Sequence, residues 1–195
     1  MKKKNKLESN DLNTSKAPDV LYKWGWPAHA SVAEVVYNKL QVDIRENLIL
    51  EKMKDGSNDP DEKFKDTALH HYPPSYTKAS TWLEQGKVNY HQKDYEYASY
   101  CLGVATHYIS DTFSAPHCVS HEKSTDHHDF EVQANDLTPI AGYVSGDLDT
   151  LMKKGVEKGK ADWEKWLKTR DRSAAQEEVN MAASVAYSVI KDSLS

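Results

Sequence analysis

Long apolar runs are missing from this chain. No stretch approaches the roughly eighteen consecutive apolar residues that a membrane-crossing helix needs, so no membrane span is expected. Cysteine is almost absent: with Cys101 and Cys118 alone, a multi-bridge scaffold is excluded. Those two could pair or stay free, and small buried residues is the reading adopted for both. An excess of positive charge is also lacking. A net charge of −5 gives no footprint for gripping a phosphate backbone, although a bound metal would reverse the sign of a cleft locally. The opening MKKKNKLESNDLNTSKAPDVLYK is basic at its tip but has no apolar stretch of the secretory kind. The residues therefore suggest a cytoplasmic chain, or one already trimmed. No alternating strand pattern of useful length occurs either.

What remains is helical periodicity. The 195 residues suit one domain, and the expected division is a flexible leader over 1–23 and a single α-helical domain over 24–195. From His29 onward, Val32, Val35, Val36 and Leu40 form one apolar stripe, and Ile44, Leu48 and Ile49 the next. Lys54 to Phe64 reads as a turn-rich loop, with Gly56 and Pro60 as breakers. A helix follows Pro73 and Pro74, near Tyr76–His91. Asp94 is placed as the N-cap of a central helix running towards Thr112. That helix is apolar over most of its circumference, which marks it as buried. Further helices are expected near Asp126–Leu137, Val144–Thr169 and Ser173–Leu194. The fold class is all-α, a multi-helix bundle whose core can brace metal ligands.

On this scaffold lie His107-x-x-x-Asp111, then His117, then His127-x-x-x-Glu131. Residues four apart share a helix face, so each pair can close on one ion. Imidazole nitrogen and carboxylate oxygen are ordinary zinc ligands. His107 and Asp111 also adjoin an apolar stripe, and a buried carboxylate needs a partner or an ion. Upstream candidates are His29, in Trp24-Gly-Trp-Pro-Ala-His29, Asp61, in Gly56-Ser-Asn-Asp-Pro-Asp61, and His70, in His70-His-Tyr-Pro-Pro. His70 is favoured over His71, and His127 over His128, the latter by its four-residue step to Glu131. His91 and His121 are expected on the surface, and Trp26, Trp163 and Trp166 in packing.

Taken in order from Trp24 to Glu131, these motifs resemble the zinc-dependent phospholipase C and single-strand nuclease superfamily. The likeness is most specific in Leu102-Gly-Val-Ala-Thr-His107-Tyr-Ile-Ser-Asp111, followed by Ala115-Pro-His117. It implies an all-α zinc hydrolase with two to three zinc ions. By position, Asp61, His70, His107 and Asp111 would hold one zinc, and His117, His127 and Glu131 a more open second. Asp111 would bridge to a third, completed by His29 and the amino terminus of Trp24. Trp24 is not the first residue of this chain, so a form beginning there is expected to bind one more zinc and turn over faster. The resemblance further implies secretion, Asp61 as catalytic proton acceptor as well as ligand, and zinc-activated water as nucleophile.

The phospholipase branch is favoured by Glu131 as last ligand, by the short His117–His127 gap and by Gly-Ser-x-x-Pro-Asp61. The expected substrate is a phosphatidylcholine-like phospholipid, met transiently at a membrane surface. A single-strand nuclease or 3′-nucleotidase is the alternative, supported by the Trp24–His29 segment, and would bring nucleic acid as partner. A zinc-binding protein without turnover is the third reading.

Overall fold

The computed structural model describes residues 26–195. Trp24 and the leader over 1–23 lie outside the described residues, as does the side chain of Trp26. Among the described residues eight α-helices follow one another: α1 (Trp26–Lys39), α2 (Val42–Arg45), α3 (Leu50–Asp59), α4 (Pro74–His91), α5 (Tyr95–Phe113), α6 (Ser124–Asn135), α7 (Leu148–Thr169) and α8 (Ser173–Leu194). No strand occurs among the described residues, which makes the fold all-α. None of these helices is long and apolar enough to cross a membrane.

α5 is the axis of the bundle, packed against α1, α3, α4, α7 and α8. Asp94 starts it as expected, its side chain accepting the Tyr97 N–H at 3.2 Å. From Cys101 to Pro116 every residue is buried, so even Thr106 and Ser110 lie inside, and Ser99 before them is buried too. These hydroxyls satisfy themselves locally: Ser99 and Thr106 donate to the carbonyls four residues back, at 2.6 and 2.9 Å. Cys101 and Cys118 are buried free thiols. A second apolar cluster, built on Phe130, Trp163, Trp166 and Val179, anchors α6 to α7 and α8.

The loop expected over Lys54–Phe64 is instead helix, corrected by packing. α3 runs to Asp59 and continues as a π-turn over Pro60–Phe64. Gly56 and Gly103 act as contact points rather than breakers. A Cβ on Gly56 would stand 2.2 Å from the Tyr100 carbonyl oxygen, and one on Gly103 would stand 2.1 Å from that of Met53. Their bare backbones let α3 and α5 touch, and burial of the contact outweighs the low helix propensity of glycine.

The other correction is Val144, which precedes its helix. α7 starts at Leu148, where Asp147 caps it by accepting the Thr150 N–H at 2.9 Å. Before it, 139–145 is a non-helical strap tied to α8. The N–H groups of Ile140, Gly142 and Val144 donate to Asn180 Oδ1, Ser184 Oγ and Ser188 Oγ, at 2.8, 3.0 and 2.8 Å. Both serine hydroxyls donate to the carbonyl four residues back, at 2.7 Å, which leaves their oxygens to accept from the strap.

Candidate metal centre

Three helices, a π-turn and two 3₁₀ turns deliver the site. α5 carries His107 and Asp111 one turn apart on a buried face. The π-turn, a local widening common at functional positions, carries Asp61. α1 supplies His29, and the segment after the 3₁₀ turn Thr67–Leu69 supplies His70. A second 3₁₀ turn, Ala115–Cys118, presents His117, and α6 presents His127 and Glu131.

All eight described candidates converge. Ligand-type atoms of His29, Asp61 and His107 lie within 4.8 Å of one another, as do those of His70, His107 and Asp111, and those of His117, His127 and Glu131. His107 belongs to the first two sets, so these form one patch of five residues. Asp111 Oδ2 stands 2.8 Å from His70 Nδ1 and 3.0 Å from His107 Nε2, and Asp111 Oδ1 stands 3.4 Å from His29 Nε2. Asp61 Oδ1 is 3.8 Å from His70 Nδ1. In the second set, Glu131 Oε1 lies 2.7 Å from His127 Nε2 and 3.5 Å from His117 Nε2. The rings of His70 and His117 are 6.4 Å apart, so the two sets are neighbours. His29, Asp61, His70, His107, Asp111 and Glu131 are buried, whereas His117 and His127 are half-buried.

The outward-facing nitrogens decide what these rings offer inward. His107 Nδ1 lies 2.7 Å from the Ser57 carbonyl oxygen, an acceptor only, so Nδ1 carries the proton. His70 Nε2 donates to Asp66 at 3.2 Å, and His127 Nδ1 donates to Glu122 at 3.3 Å. The Ser110 hydroxyl spends its own proton on the His107 carbonyl, at 2.9 Å, so it accepts from His29 Nδ1, also at 2.9 Å. When neutral, each of the four rings therefore turns a bare lone pair towards Asp111 or Glu131. Carboxylate oxygens are acceptors too, and acceptor facing acceptor is repulsive without a cation between them. Asp111 Oδ2 and the His107 Nε2 that faces it are indeed buried atoms without a hydrogen bond. Donor atoms around a tetrahedral zinc stand about 3.3 Å apart, which the spacings above bracket. The residues fit zinc, and the outer acceptors are those that orient metal-binding histidines.

Without metal, protons take the cation's place. Burial opposes a charged His70, yet the Asp111 carboxylate against it raises the ring to about 9. Burial likewise opposes ionised Asp111, but His107, His70 and His29 hold it well below the usual carboxylate range. For His29 burial wins, aided by repulsion from His107, and its pKa falls. Burial resists ionised Glu131 as well, and hydrogen bonding to His117 and His127 lowers it nonetheless.

His71 does not join either set. Its Nδ1 donates to the His117 carbonyl at 2.8 Å and so braces the turn that presents His117. His91 and His121 are exposed, as expected. Trp163 and Trp166 stack in the second apolar cluster, ring centroids 5.3 Å apart. Sequence reasoning missed Asp66, Ser110, Glu122 and Glu178. Asp66 had a visible signal, because it stands four residues before His70. Glu178 had none: it reaches from α8 to accept the Ala115 N–H at 3.0 Å, fixing the start of the turn that carries His117.

Beside His117 opens a cleft of about 610 Å³, walled by His71, Tyr72, Cys118, Glu122 and Lys160. A deep, metal-fitting cluster thus meets a space large enough for a substrate headgroup. No curated protein matches the chain. The family of zinc dependent phospholipase C, by contrast, matches residues 17–178, from before the first described ligand-type residue to α8. A buried histidine–carboxylate cluster in an all-α bundle is what that match would require, and the chain belongs to this family of zinc-dependent phosphodiester hydrolases.

Proposed function

We propose that the protein is a phospholipase C, cleaving the bond between glycerol oxygen and phosphorus in phosphatidylcholine-like glycerophospholipids and releasing the phosphorylated headgroup. The observation that carries this reading is the set of four imidazoles whose outer nitrogens are all committed to acceptors, beside an open cleft. Asp61, His70, His107 and Asp111 are assigned to one zinc, and His117, His127 and Glu131 to a second. Asp111 is assigned as bridge to a third held with His29 and Trp24. When bound, zinc acidifies a water and offsets the charge of the phosphodiester.

The chain's own part is positional. α5 and the π-turn hold the first set rigidly inside the bundle, away from bulk water. The half-buried His117 brings the second set to the cleft, where a phosphodiester would enter. Water attacks phosphorus and its proton passes to the Asp61 carboxylate, within the group it forms with His29 and His107. The phosphorus–oxygen bond to glycerol breaks, and the departing oxygen takes up a proton to leave diacylglycerol. No serine or cysteine nucleophile is needed, in keeping with buried thiols that desolvation raises to about 11 at Cys101 and about 12 at Cys118. Substrate would be met at a membrane surface without insertion.

The test is a zinc-loaded sample assayed on phosphatidylcholine, on a chromogenic phosphocholine ester and on single-stranded DNA. Headgroup release abolished by chelator is expected. Faster cleavage of the DNA would move the protein to the nuclease branch. Full zinc with no phosphoester turned over would leave a zinc-binding protein.

A further inference from the structure

Lys160 is the lysine of α7 that lines the cleft beside His117. Lys153 pairs with Asp149 at 2.5 Å, and Lys158 pairs with Asp162 and with Glu177, the latter at 2.9 Å. Lys160 has no carboxylate partner among the described residues, and it lines the cleft together with His117. Its place there is fixed by backbone packing. Gly155 and Gly159 press α7 onto the end of α5 and the His117 turn. A Cβ on Gly155 would meet the Phe113 ring at 2.4 Å, and one on Gly159 would meet Cys118 Sγ at 2.4 Å. With Gly159 flush against Cys118, the next residue is delivered to the cleft wall beside His117.

Three other polar groups of this wall are engaged elsewhere, and Ser120 is uncharged. Glu122 accepts from His127, the His71 Nδ1–H is spent on the His117 carbonyl, and the Tyr72 hydroxyl donates to Asp149 at 2.9 Å. An unpartnered ammonium is left facing the space next to the zinc-fitting cluster. Recognition of a quaternary ammonium calls for open aromatic faces or free carboxylates, and a fixed like charge opposes it.

We infer that Lys160 makes this cleft select phospholipids whose headgroup carries its own anionic group, a carboxylate or a second phosphate, over those ending in a quaternary ammonium. The inference rests on the phospholipase reading and shifts its preferred headgroup away from phosphatidylcholine. Lys160 lies at the rim, where its charge is screened by water, so the effect is one of preference rather than of turnover as such.

Short-chain dihexanoyl phosphatidylserine and dihexanoyl phosphatidylcholine, both monomeric, separate headgroup choice from attraction to a charged surface. For the zinc-loaded protein, kcat/KM should favour phosphatidylserine, and more so at low salt. In Lys160→Ala the phosphatidylserine-to-phosphatidylcholine ratio should fall about fivefold, the scale of one screened ion pair. In Lys160→Glu the preference should invert. Lys168→Ala, on the same helix but outside the cleft, should leave the ratio unmoved. Calorimetry with a phosphonate analogue of phosphatidylserine should show the same roughly fivefold loss of affinity in Lys160→Ala, independently of turnover. A ratio and an affinity unchanged in both Lys160 variants, with both lipids still cleaved, would overturn the inference and leave the phospholipase reading intact. Cleavage of neither lipid by the zinc-loaded parent would instead overturn that reading, and this inference with it.

Discussion

Asp66→Ala isolates the claim that outer hydrogen bonds prepare the histidines for metal. Asp66 accepts from His70 Nε2 at 3.2 Å, from the Tyr108 hydroxyl at 2.7 Å and from Lys78 at 3.3 Å. Two separate losses follow from its removal. The Tyr108 side chain is fully buried, and a buried hydroxyl left without an acceptor costs about 1–3 kcal/mol of stability. The Lys78 pair is partly exposed and adds no more than about 1 kcal/mol. The effect on zinc is distinct: a ligand histidine without its outer acceptor typically loses about 10–100-fold in metal affinity, roughly 1.4–2.7 kcal/mol. A double-mutant cycle with Tyr108→Phe separates the two, because phenylalanine has no hydroxyl to strand. In the Tyr108→Phe background, Asp66→Ala should cost less stability by urea unfolding of the metal-free protein than it does in the parent, because no hydroxyl is stranded. It should still weaken zinc binding in competition with a chromophoric chelator. Asp66→Asn keeps an accepting oxygen and should weaken zinc less than alanine does. Parental zinc affinity in Asp66→Ala, with stability lowered, would refute the argument that Asp66 orients His70 for an ion.

Elemental analysis should find two to three zinc ions per chain, and Asp111→Asn should lose more of them than His117→Ala; full zinc in Asp111→Asn would end the bridging assignment. Gly56→Ala and Gly103→Ala should each cost about 3 kcal/mol in urea unfolding, because each methyl meets a backbone oxygen of the facing helix, whereas Gly142→Ala, with nothing within 4 Å, should change little. Burial raises Glu178 well above its ordinary 4.5, so the folded protein binds this proton more tightly than the unfolded chain. Its contribution is then complete below about 4.5 and declines as pH rises towards the folded value. Glu178→Gln retains an acceptor for the Ala115 N–H and lacks that slope. Its stability relative to the parent should improve as pH rises from 4.5, and a pH-independent difference would refute the assignment.

The ligand-type residues were legible because most of their spacing is local. A four-residue step on a helix survives into three dimensions, and Asp94 and the bounds of α8 were readable from capping and periodicity. What failed to show was whatever depends on a distant partner. Gly56 breaks a helix by propensity, and only its contact with Tyr100 makes it an asset. The partners of His29 and Glu178 lie 81 and 63 residues away, so no window along the chain contains both. Asp66 was the exception, since Asp66-x-x-x-His70 repeats the step that marked the other pairs and was open to the same reading.

The strap over 139–145 works as a gear against α8. Two residues of extended chain advance about 6.6 Å. Four residues of helix rise about 6.0 Å, but their row runs about 26° off the axis, giving a tooth spacing of roughly 6.7 Å along the row. The two periods mesh, so Asn180, Ser184 and Ser188 serve as a sheet edge in a protein whose described residues form no sheet. The next tooth would be Asp192, yet it takes the Tyr143 hydroxyl at 3.0 Å. Gly146, with φ at 145°, turns the chain away there. A gear of this pitch tolerates slippage only in whole teeth. Losing two strap residues would re-engage the same groups, whereas losing one would turn buried Ala141 outward and present the wrong amides to every tooth.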